Sequence, residues 1–184
     1  MILYEQDVEE RKILDIMTNI CWRMEHDNMI KIIDGDLLDS TADVICHQVN
    51  CQGKMNSGVD KQIREKYPEV FRAYQGLCNT YVKCKDSLLG DCQVIETHDG
   101  KRIANLFGQL EYGYDGKQYT DLQALKRSMV KLRNRCNLSL ENITVAMPYK
   151  LGACRGGANW EDVYSIIEEV FKDVDVELWR LDKG

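Results

Sequence analysis

No run of apolar residues in this 184-residue chain approaches the ~20 that a helix needs to cross a bilayer. No membrane partner is expected. The acidic start, with Glu5, Asp7, Glu9 and Glu10, lacks the basic-then-apolar pattern of a secretory leader. A cytoplasmic protein is the expectation. Basic residues are also in deficit, with 24 Lys and Arg against 30 Asp and Glu, a net charge of −6. With no basic stripe, sequence-independent nucleic-acid binding is not expected. Internal repeats and low-complexity segments are absent, which excludes solenoid architectures. Histidine is scarce: His26, His47 and His98 are the only three, and they are dispersed. The eight cysteines never form a C-x-x-C pair. Zinc needs clustered ligands, so neither a metal nor a cofactor is expected. Cys46 and Cys92 fall in apolar runs and read as small buried hydrophobes of a reduced protein.

What is present is an alternation of short apolar runs with helical periodicities. Residues 1–28 read as a separate amphipathic helix, with Ile13, Ile16, Met17, Ile20 and Met24 at helical spacing. Strands are expected at Met29–Ile33, Val44–Val49, Cys92–Glu96, Ile103–Phe107, Ile143–Met147 and Val176–Leu181. Helices are expected over Val59–Cys78, interrupted at Pro68, over Thr120–Arg135, and after Asn159. Asn159 is a plausible N-cap, with Asp162 three residues on. Asp99-Gly100 predicts an antiparallel hairpin. The fold class is therefore α/β with a mixed central sheet.

Two loops follow apolar strands and open helices: Cys51–Gly58 and Tyr149–Ala158, the second rich in glycine. Ligands in α/β folds bind at such carboxyl ends of strands. Backbone N–H groups and a helix N-terminus there favour an anion, and an acidic chain can hold a pyrophosphate in this way. Asp36 caps a turn or accepts from an exocyclic amine such as that of adenine. His47 is either a satisfied core histidine or a general base facing the cleft. Strand alternation puts His47 and Asn50 on opposite faces, and Asn50, at the strand terminus, is placed to bond a sugar hydroxyl. Arg155 pairs with a phosphate or lies in solvent. Gln109, Glu111, Tyr112 and Tyr114 form a lid or a polar loop.

Gly35-Asp36-Leu37-Leu38, the His47–Asp60 stretch, Leu89-Gly90, Met147-Pro148 and Leu151–Trp160 occur in this order. Together they resemble the macrodomains, the ADP-ribose-binding family, over about Met29 to Leu181. The His47-Gln-Val-Asn-Cys-Gln-Gly run is similar to the branch holding ADP-ribose 1″-phosphatases and terminal ADP-ribose glycohydrolases acting on glutamate-linked ADP-ribose. The resemblance implies a three-layer α/β/α sandwich over residues 29–184, after an N-terminal helical extension over 1–28. It implies that Asp36 contacts the adenine amine, Leu37 lines the adenine pocket and Asn50 holds the distal ribose. Asn56, Ser57, Gly58 and Val59 would wrap the distal ribose and diphosphate. Gly152, Ala153, Cys154, Arg155, Gly156 and Gly157 would cradle the diphosphate from the other side. His47 matches a histidine proposed as catalytic in the phosphatase-like members, with Asn50 beside it. Asn56-Ser57-Gly58 stands where many members carry three glycines, which narrows that loop. The implied function is hydrolysis at the distal ribose of ADP-ribose derivatives, either the 1″-phosphate or ADP-ribosyl esters. The alternative is a non-catalytic ADP-ribose reader.

Overall fold

The computed structural model describes residues 30–136 and 143–181. The helical extension expected over 1–28 lies outside the described residues. Strands β1 (Ile30–Asp34), β2 (Val44–Asn50), β3 (Cys92–Glu96), β4 (Arg102–Gln109), β5 (Val145–Pro148) and β6 (Val176–Arg180) form one sheet. Its order is β1-β6-β5-β2-β4-β3. Every neighbouring pair is parallel except β3 and β4, which form the expected antiparallel hairpin. β2 and β4 lie at the interior of the sheet, and their sequences, VICHQVN and RIANLFGQ, are buried on both faces. This is why they read as continuous apolar runs rather than alternating ones.

Pro68 divides the long helical stretch into α1 (Gly58–Lys66) and α2 (Pro68–Thr80), joined at Tyr67. Proline has no N–H to donate, so it sits at the first position of a new helix. Helix α3 (Leu122–Arg135) begins at an Asp121 N-cap, and α4 (Trp160–Val170) at the expected Asn159 cap, whose side chain accepts from Asp162 N. Thr120, expected within α3, instead bridges to Gln109. No described helix is long and apolar enough to cross a membrane.

The period-2 alternation of the strands sorts the core into two layers. Val44, Cys46, Ala104, Leu106, Val145 and Met147 pack with Leu125, Met129 and Leu132 of α3 and Val163 and Ile167 of α4. Ile45, Ile103 and Ala146 face the other way, onto Ile63 of α1 and Val70 of α2. Val49 and Phe107 continue that second face towards Tyr74 and Cys78 of α2. The result is the three-layer α/β/α sandwich. Cys46 and Cys92 are buried as expected, and burial pushes both thiols up, Cys92 to about 12. The second face carries one row of polar residues across its apolar surface: His47 on β2, Asn105 on β4 and Gln93 on β3, aligned in strand register.

Candidate active site

A cleft of about 250 Å³ lies at the carboxyl ends of β2, β4 and β5. Its walls are the two loops singled out above. From the first come Asn50, Lys54, Asn56, Ser57, Gly58, Val59 and Asp60. From the second come Tyr149, Lys150, Leu151, Gly152, Cys154, Arg155 and Gly156. His47, Gln48, Gln109, Tyr112, Gly113, Tyr114 and Pro148 complete it.

The first loop is shaped by Asn50, which is 4 % exposed. Its Oδ1 accepts from Gln52 N at 2.9 Å, and its Nδ2 donates to Lys54 O at 2.7 Å. The Tyr74 hydroxyl donates to the Asn50 carbonyl at 2.6 Å and reaches its Oδ1 at 2.9 Å. Burial raises the Tyr74 phenol well above its ordinary range. Alternation placed Asn50 opposite His47. A register irregularity between Val49 and Asn50 breaks that alternation, and Asn50 turns to α2. One Nδ2 hydrogen of Asn50 has no acceptor among the described residues.

Gly58, at φ +58°, starts α1 in a left-handed conformation suited to glycine. Ser57, at the N-cap, makes no side-chain cap, so the first-turn amides of α1 have no side-chain partner. Such amides and the helix dipole attract an anion. Asn56 is held by Arg64, whose Nη1 donates to its Oδ1 at 2.8 Å.

The second loop rests on a polar platform. Gln48 Nε2 donates to Gln109 Oε1 at 2.7 Å and to Thr120 Oγ1 at 2.9 Å. Thr120 Oγ1 in turn donates to Gly152 O at 2.8 Å. Tyr119 N and Thr120 N both donate to Gly156 O. A Cβ on Gly156 would strike the Thr120 hydroxyl and the Gly152 carbonyl, so only glycine fits this approach. Arg155 lies over the Tyr114 ring, 5.8 Å from its centroid. Its Nε stands 3.7 Å from where Gly58 would carry a Cβ, so the guanidinium bridges from the second loop towards the start of α1. Lys54, Lys150 and Arg155 thus put three cations around the cleft, against the single carboxylate of Asp60.

At the floor, His47 is 1 % exposed, with Nδ1 2.8 Å from Asp60 Oδ1 and Nε2 2.7 Å from Asn105 Oδ1. Both ring nitrogens are engaged by the protein, so the free cleft-facing nitrogen that a base requires is missing. Asp60, in the first turn of α1, is 23 % exposed and reaches the cleft.

A comparison with known families places the Macro domain on residues 46–167, from β2 through most of α4. The chain belongs to the macrodomain family. A Mycobacterium tuberculosis protein named DNA ADP-ribosyl glycohydrolase is 30% identical to this macrodomain over 158 residues, 82% of this chain and 42% of that protein. The chain thus spans about two fifths of that relative. A Scheffersomyces stipitis protein named ADP-ribose 1″-phosphate phosphatase is 29% identical over 173 residues, 81% of this chain and 96% of that one. Among solved structures, the macrodomain of Mycobacterium tuberculosis DarG superposes with a TM-score of 0.65 at 28% identity, covering 83% of this chain and 97% of that one.

Most residues expected at the site are brought together by the macrodomain fold: His47, Asn50, Asn56, Ser57, Gly58, Val59, Gly152, Cys154, Arg155 and Gly156 all line the cleft. Gln109, Tyr112 and Tyr114 join them, whereas Glu111 does not. Four others, Asp36, Leu37, Ala153 and Gly157, stand apart from its lining. Leu37 is 4 % exposed and packs into the core beside Leu38 and Ala42. The Asp36 carboxylate accepts from Leu38 N at 2.9 Å, capping the short turn Leu37–Asp39. Ala153 turns within its own loop, its N–H donating to Lys150 O. Sequence reasoning assigned no role to Gln48, Lys54 or Asp60. Asp60 had a signal, since it falls two residues after Gly58 in the first turn of a helix.

Proposed function

We propose that this macrodomain binds ADP-ribose through the two amide-lined loops and hydrolyses the bond between its distal ribose and a leaving group. The observation that carries the reading is Asp60. It is a part-exposed carboxyl held by a buried histidine, in a cleft whose other charged side chains, Lys54, Lys150 and Arg155, are all cations. The amides of α1 and the second loop suit the diphosphate, with Arg155 as its charged partner. The remaining Nδ2 hydrogen of Asn50 suits a ribose hydroxyl. Water attack at the distal ribose needs a group that exchanges a proton with the leaving atom, and Asp60 is placed for that role. The relatives' names support the chemistry: one removes ADP-ribose from DNA and another takes phosphate from the 1″ position. The leaving group is thus the 1″-phosphate or the macromolecule that carried the ADP-ribose.

Calorimetric titration with ADP-ribose, with AMP and ATP as controls, tests the binding. Turnover of ADP-ribose 1″-phosphate, ADP-ribosylated DNA and ADP-ribosylated protein tests the chemistry. Micromolar binding selective for ADP-ribose together with turnover of one substrate is expected. Binding without any turnover would make the chain a reader. Failure to bind ADP-ribose would overturn both readings.

A further inference from the structure

The polar row on the second face of the sheet has a direction. At its far end, Gln93 Nε2 donates to the main-chain carbonyl of Ala73, on α2, at 3.1 Å. A carbonyl can only accept, so the amide nitrogen of Gln93 must point at it and Oε1 must point away. Oε1 meets Asn105 Nδ2 at 3.1 Å, which leaves Asn105 Oδ1 facing His47 Nε2. An amide oxygen also can only accept, so His47 Nε2 carries a hydrogen. One fixed backbone group therefore sets, through two amides, the tautomer of a buried imidazole. Asn105 is fully buried and β4 is an interior strand, so no solvent competes for its amide, and Gln93, half-buried on the edge strand β3, is held by the Ala73 carbonyl. The buried Asn105 amide is tolerated because its oxygen and its nitrogen are both matched.

The consequence falls on Asp60. Its Oδ1 lies 2.8 Å from Nδ1. With Nε2–H already committed, the short Nδ1 contact is a hydrogen bond only if it holds a further proton, shared between imidazole and carboxyl. We infer that Gln93 and Asn105 are positioning residues that fix His47 as the Nε2–H form, so that the His47–Asp60 pair stores one proton at the cleft and Asp60 delivers it as the general acid. This rests on the hydrolase reading above. In the step, the bond from the distal ribose to the leaving atom breaks, the leaving atom takes its electron pair and the Asp60 proton. Water adds its oxygen to the ribose carbon and returns one proton to the pair. The balance is one water consumed, with the pair restored.

The test begins with the uncomplexed protein. In the full chain carrying H26Q and H98Q, His47 is the sole histidine, and long-range ¹⁵N–¹H correlation reads its ring directly. A hydrogen-bearing Nε2 is expected. A lone-pair Nε2 with hydrogen on Nδ1 alone would overturn the proposal, whatever the activity. Gln93→Leu removes the anchor without placing a charge in the core. It should lower kcat by about 10²-fold, the scale of lost acid–base catalysis, with KM and ADP-ribose affinity unchanged. Gln93→Asn, too short to reach Ala73, should behave likewise. An unchanged kcat in folded Gln93→Leu, or an equal loss of ADP-ribose affinity, overturns the role. A wild-type protein with the Nε2–H signature and ADP-ribose affinity but no turnover overturns the acid step and the hydrolase reading, while the hydrogen-bond order stands.

Discussion

Tyr74→Phe probes whether the first loop is held from below by one hydroxyl. The Tyr74 ring is fully buried and packs 5.8 Å from Phe107 between centroids, and phenylalanine preserves that contact. Only the oxygen is lost. It donates to the Asn50 carbonyl at 2.6 Å and accepts from Lys54 N at 3.1 Å. Lys54 N retains Asn50 Oδ1, 3.3 Å away, as a second acceptor. The Asn50 carbonyl loses its tyrosyl donor at a buried position. Leaving one buried group unpaired costs about 1–3 kcal/mol. At about 2 kcal/mol, Tm should fall by about 4–8 °C for a domain of this size. Urea denaturation should show a lower midpoint with an unchanged slope. Because the lost bond fixes the loop that carries Asn56 and Ser57 into the cleft, ADP-ribose affinity should fall as well. Tyr67→Phe is the control. Its hydroxyl donates to Asp99 in the hairpin turn at the opposite end of the sheet, so it should leave ADP-ribose affinity unchanged. An unaltered midpoint and Kd in Tyr74→Phe would refute the reasoning.

Gly156→Ala drives a methyl group onto the Thr120 hydroxyl and Gly152 carbonyl. Overpacking of about 1–3 kcal/mol should displace the second loop, and calorimetry should record weaker ADP-ribose binding; an unchanged Kd contradicts the cradle. Cys84 and Cys154 are the exposed thiols among the described residues, and only Cys154 lines the cleft. ADP-ribose at about tenfold its Kd should slow alkylation of Cys154 about tenfold, in proportion to the free site, and leave Cys84 unaffected; equal rates place the ligand elsewhere. The Glu69–His98 pair, 2.7 Å apart, gives a pH signature. The bonded His98 holds Glu69 down at about 2, and Glu69 raises His98 above its ordinary 6.5. The Glu69 contribution is full above its ordinary 4.5 and is lost as pH falls through about 2. The His98 contribution is full below 6.5 and is lost as pH rises through its raised value. The stability difference between wild type and His98→Gln should therefore be largest between pH 4.5 and 6.5. A difference that is flat with pH would refute the pairing.

What could be read in advance follows the physics of each signal. Strand and helix positions rest on local periodicity, so Val44–Val49, the break at Pro68 and the Asn159 cap were visible in the chain itself. The two loops were legible because glycine between an apolar strand and a helix is also a local pattern. Asp36 and Leu37 show where local pattern stops. The same residues suit a capped turn over a core leucine or an adenine contact, and only packing against Ala42 and Ile45 shows that the leucine is buried. His47 shows the limit more sharply. Its polarity within an apolar strand marked it, but its role depends on Asn105, 58 residues away, and on Gln93 beyond it. Those partners meet only because β2 and β4 pair in parallel and β3 in antiparallel register. A one-residue slip in either pairing would turn the amides to the opposite face. The tautomer of His47 is thus encoded by sheet register, and a register cannot be read from the spacing of residues within one strand.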